Sequence, residues 1–170
     1  DKLNSLFQSL GFYETPQIPL PAAEAPAGIN SANLTSSVLL SDEIRLSPLQ
    51  MALAAAALTN QGQRPAPRLA SAVHTPHQGW VVLPTTPSSA DLKLSRSEDS
   101  LSRLAGAGSP FWQTPARAHT AEGELTWFVG GTVPKLSGIP LAIALVLEED
   151  NPQLANQIGS SVLEAAISPH

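Results

Sequence analysis

Arg117-Ala118-His119-Thr120 brings a guanidinium, an imidazole and a hydroxyl together within four residues. On the outer edge of a sheet, such a run offers positive charge and backbone donors to a carboxylate. The plainer reading is favoured on the residues alone: an edge strand blunted by polar side chains. Three other sets have a spacing that could do chemistry. His74-x-x-His77 could chelate a metal, but no Cys or second pair accompanies it, and Pro76 and Gly79 read as a solvated turn. Glu122 and Glu124 would share one face of a strand, and without a defined cleft they read as surface charge or sheet-end anchors. Glu148, Glu149 and Asp150 precede a helix start, and the positive end of its dipole accounts for them. There is no Gly-rich phosphate loop, nucleophile elbow or zinc helix motif, so no metal or cofactor is expected.

The elements that must hold this edge follow it. Leu125 to Val129 is rich in aromatic and branched residues, as strands are. Ile139 to Leu147 is nine apolar residues without a charge. That is too short to cross a bilayer and long enough for a strand buried on both faces. Leu141, Ile143, Leu145 and Leu147 point one way, and Ala142, Ala144 and Val146 the other. The flat alanine side is expected to receive the helix that comes next. Asn151 caps that helix and Pro152 suits its first position. Leu154, Ile158, Val162 and Ile167, with Ala165 and Ala166, form its expected apolar stripe.

Earlier in the chain, Leu3, Leu6, Phe7 and Leu10 mark a short amphipathic helix with Gly11 as its stop. Residues 12–36 read as an irregular connection with an extended piece at Ile18-Pro19-Leu20-Pro21. Ser47-Pro48-Leu49-Gln50 is a strong helix start, with a Ser cap, Pro in the first turn and Gln placed to complete a capping box. The Ala-rich run Met51 to Leu58 makes this the expected central helix, ended by Asn60-Gln61-Gly62. Leu69 to Val73 and Trp80 to Leu83 read as short strands around a turn at His74 to Gly79. Ser97 to Leu104 reads as a short helix with Leu101 and Leu104 inward. There are no internal repeats.

A chain of 170 residues is enough for one domain with a real core. Its net charge of -5 and 14% charged residues leave no basic footprint, so no nucleic-acid partner is expected. The low charge and a mean hydropathy of +0.02 point to extensive burial, against a partner or another part of the same protein. The absence of Cys excludes a disulfide framework and cysteine metal sites. No signal peptide, transmembrane helix or lipidation signal is read in residues 1–170. The start at Asp1 suggests a processed or trimmed piece.

Several stretches, in order, resemble the transpeptidase domain of penicillin-binding proteins. Leu10-Gly11-Phe12 and Ile18-Pro19-Leu20-Pro21 resemble the segment after that family's second active-site motif. Leu46-Ser47-Pro48-Leu49-Gln50-Met51-Ala52, through Ala57-Leu58-Thr59-Asn60-Gln61-Gly62 to Pro67-Arg68-Leu69, is similar to its buried helix and the following turn. Thr120-Ala121-Glu122, Trp127-Phe128-Val129-Gly130 and the strand to Glu148 are similar to the end of its fold.

The resemblance implies a fold of α/β (α+β) type: a mainly antiparallel sheet covered by helices on both faces, as in penicillin-binding proteins and serine β-lactamases, here its later half. Residues 1–170 would be a single transpeptidase-like domain, incomplete on its N-terminal side. It also implies three catalytic motifs, Ser-x-x-Lys, Ser-x-Asn and Lys-Thr-Gly. No Ser-x-x-Lys occurs in the chain, and Ser31-Ala32-Asn33 falls in the wrong order to be the second motif. Arg117, Ala118 and His119 stand where Lys, Thr and Gly are expected, just before Thr120-Ala121-Glu122. Leu39-Leu40-Ser41-Asp42 stands where the family has a glycine-rich turn. Arg keeps the charge but essentially never gives up a proton, Ala118 lacks the hydroxyl, and His119 puts an imidazole where substrate would lie.

The expected function is therefore a non-catalytic binding or structural module for peptidoglycan synthesis, with Arg117, Ala118, His119 and Thr120 as a degenerate substrate strand. The alternative is an active serine D,D-transpeptidase or carboxypeptidase whose Ser and Lys precede residue 1. Expected partners are a peptidoglycan stem peptide or β-lactam, the remainder of the domain and other envelope proteins. The expected location is extracytoplasmic, in a bacterial envelope protein anchored through a segment outside this chain.

Overall fold

Along the strand Ala142–Leu147, small and bulky side chains alternate between opposite faces of the sheet, and each face is covered by helix. The computed structural model describes residues 2–18, 46–84, 97–106, 108–134, 136 and 138–168. In chain order the elements are α1 (Lys2–Leu10), α2 (Pro48–Thr59), β1 (Ala72–Thr75), β2 (Gly79–Val82), α3 (Ser97–Ala105), β3 (Phe111–Thr120), β4 (Gly123–Thr132), β5 (Ala142–Leu147) and α4 (Pro152–Ile167). Strands β3, β4 and β5 form an antiparallel sheet in that order, and β1 and β2 form a separate antiparallel hairpin. Antiparallel strands between covering helices are the architecture expected from the sequence.

Helix α2 starts as its sequence dictates. The Ser47 hydroxyl accepts from the Gln50 backbone N–H at 3.2 Å, and the Ser47 N–H donates to Gln50 Oε1 at 2.9 Å. Both halves of the capping box are made. Gln50 does more than the motif requires. Its buried side-chain amide also donates to the carbonyls of Phe12 and Glu14, fastening the turn after α1 to α2. Leu10, Phe12, Ala54 and Ala57 pack together there, with Phe7, Leu46 and Met51 beside them.

Two expectations about packing are corrected. Helix α4 does not lie on the flat side of β5. Ile143, Leu145 and Leu147 pack with Phe128, Ala155 and Leu163, so α4 covers the bulky side. The flat side goes to α2 and α3, where Ala142 and Val129 meet Ala55, Leu58, Leu101 and Trp112. Alanine on the helix and alanine on the strand let those backbones approach closely. The buried stripe of α4 is also different from the expected one. Ala155, Gly159 and Leu163 point inward, while Leu154, Ile158 and Val162 are exposed. The small residues win because the Phe128 ring, fully buried, fills the space. A Cβ on Gly159 would stand 2.2 Å from that ring, so only glycine lets α4 seat. Burying such a ring stabilises by roughly 1.5–3 kcal/mol.

Smaller departures follow the same logic. Leu101 of α3 is buried, but Leu104 is half exposed. β5 begins at Ala142, leaving Ile139 in solvent. Strand β3 starts at Phe111, well before the run in which an edge was expected. Pro115 sits within it, as an edge strand permits. The Leu69–Val73 and Trp80–Leu83 expectation resolves into the β1–β2 hairpin. The pieces expected at residues 19–36 and at Leu39-Leu40-Ser41-Asp42 lie outside the described residues.

Candidate functional site

The Arg117-Ala118-His119-Thr120 run ends β3, whose second side pairs with no strand among the described residues. Register fixes what each side chain faces. Arg117 pairs with Thr126 and, through it, Leu147, which puts it on the α4 side of the sheet. His119, two residues on, shares that side and pairs with Glu124. Ala118 points to the opposite side.

Each polar side chain of the run has a partner within the chain. Arg117 Nε donates to Asp150 Oδ1 at 2.5 Å. That bond holds the Asp150 carboxyl below the usual carboxylate range and pushes the guanidinium further up. His119 Nδ1 lies 3.2 Å from Glu124 Oε1. The Thr120 hydroxyl donates to the Gly123 carbonyl and accepts from the Glu122 N–H, closing the Ala121-Glu122 turn. Ala118 brings no polar atom. The Arg117–Asp150 pair is exposed, so it adds little to stability. Its significance is occupancy: the rim's permanent cation is already engaged.

Asp150 is held in place by the junction between β5 and α4. Thr126, fully buried, donates to the Glu149 carbonyl at 2.7 Å and accepts from the Asn151 N–H at 2.9 Å. Asn151 Oδ1 then accepts from the Leu154 N–H, capping α4 as expected. The acidic run before α4 therefore does more than answer the helix dipole. Asp150 was not foreseen as a partner of Arg117, because the two are far apart in sequence and only the strand register brings them together.

The remaining candidates resolve plainly. His74 and His77 are exposed on the hairpin and its turn, and His74 meets Trp80 edge-on with ring centroids 5.4 Å apart. No group of three metal-ligating side chains occurs among the described residues. Glu122 and Glu124 do not share a strand face, because Glu122 lies in the turn and Glu124 begins β4. A cleft of about 180 Å³ lies beyond the other end of β3, lined by Ser102, Ala105, Gly106, Gly108, Ser109, Val133 and Pro134. The Arg-Ala-His rim is not among its walls. No described helix is long and apolar enough to cross a membrane.

No protein-family model matches the sequence, and no curated protein matches it. Solved structures do. Penicillin-binding protein 3 from Mycobacterium tuberculosis, in its apo form, superposes with a TM-score of 0.75 at 14% identity over 99% of this chain and 47% of that one. The fold is that of penicillin-binding-protein transpeptidase domains. Penicillin-binding protein A from M. tuberculosis, as its ceftriaxone acyl-enzyme, gives a TM-score of 0.72 at 22% identity over 98% of this chain and 43% of that one. The D,D-transpeptidase domain of a peptidoglycan glycosyltransferase from Eggerthella lenta gives 0.65 at 21% identity over 98% and 48%. The chain thus spans a little under half the length of these transpeptidase structures.

Proposed function

We propose that this chain is the later half of a transpeptidase-like domain in a bacterial cell-envelope protein, acting in peptidoglycan synthesis as a non-catalytic binding or structural module. The rest of the domain, and an anchor to the membrane, would lie outside residues 1–170. One observation carries the reading. Where the resemblance calls for Lys-Thr-Gly, the chain has Arg117-Ala118-His119, and Arg117 and His119 lie against Asp150 and Glu124. A guanidinium does not release a proton near neutral pH, so Arg117 is no substitute for a lysine that shuttles one. Ala118 offers no hydroxyl to a substrate carboxylate, and His119 fills space along the edge.

The test is release of D-alanine from a peptidoglycan stem peptide by the full-length protein. Release no faster than the blank is expected. Release that penicillin abolishes would overturn the non-catalytic reading.

A second reading has a specific observation in its favour. Penicillin-binding protein A, one of the matched structures, is an acyl-enzyme, and the part of such a chain not spanned here is long enough to hold a Ser-x-x-Lys. In that case the protein is an active D,D-transpeptidase or carboxypeptidase in which Arg117 supplies charge alone. An intact Ser-x-x-Lys and Ser-x-Asn ahead of Asp1 would favour it, and their loss would end it.

A further inference from the structure

We draw no further inference here: the strongest candidate, the outer edge of β5, an uncharged apolar strand that pairs only with β4 among the described residues, carries none because nothing in a chain spanning under half of the matched structures shows what covers it.

Discussion

The packed centre of the sheet and the end of its edge strand follow opposite rules. Around Phe128 and Gly159 side chains are fully buried, and one added methyl group would collide with a ring. At Arg117 to Thr120 the side chains are solvated, and their partners are other surface groups. A transpeptidase-like fold can therefore persist on the strength of the first region whatever chemistry the second retains. The fold is maintained by fit, and the rim is free to change because almost no folding energy depends on it.

Substitutions that separate the two regions sharpen this contrast. Phe128→Ala should destabilise most, by about 3–5 kcal/mol, because it removes the ring that both α4 and β5 pack against. Urea denaturation would read the loss, and a loss near zero would mean that α4 is not seated as described. Gly159→Ala should cost about 1–3 kcal/mol by overpacking even after the gain in helix propensity. Stabilisation by that change would show that the ring and helix have room to part. Asn151→Ala should cost about 1 kcal/mol through loss of the α4 cap, visible as a small drop in the midpoint of thermal unfolding.

The smallest effect belongs to the rim. Asp150→Asn should lower stability at neutral pH only slightly, since the pair it breaks is exposed. That small difference should shrink and vanish in acid. Arg117 lowers the Asp150 carboxyl in the folded chain, so the pair's contribution is present above the unfolded aspartate value of about 3.9. That contribution disappears as pH falls through the lower folded value. Stability measured across acid pH should therefore be flatter in the variant. A large loss at neutral pH would make the rim part of the core and erase the distinction.

Much of this was legible in the residues, and the failures have physical causes. Caps announced themselves: Ser47 with Gln50 and Asn151 with Pro152 are local signals, and both helices start there. Strand existence was equally plain at Leu125 to Val129. The facing of α4 was not. Bulky residues at Leu154, Ile158 and Val162 look like a core stripe, but the sheet already supplies the bulk in Phe128 and the β5 side chains. The helix must therefore present Ala155 and Gly159. Relief on one element is decided by relief on the other, and a single segment does not disclose it. The same holds at the rim. The Arg117-Ala118-His119 run could be read directly, while Asp150 as the group that engages Arg117 depends on strand register. The first half of β3 was hidden by Pro115, a residue that weakens a strand reading and is tolerated at an edge.

Acylation by penicillin probes the rim most directly. Full-length protein is incubated with a fluorescent penicillin, denatured and resolved by electrophoresis, with a penicillin-reactive transpeptidase as control. No labelled band is expected from this protein under conditions that label the control. A stable, stoichiometric fluorescent adduct, competed away by unlabelled β-lactam, would contradict the assignment of a rim without acyl-transfer function.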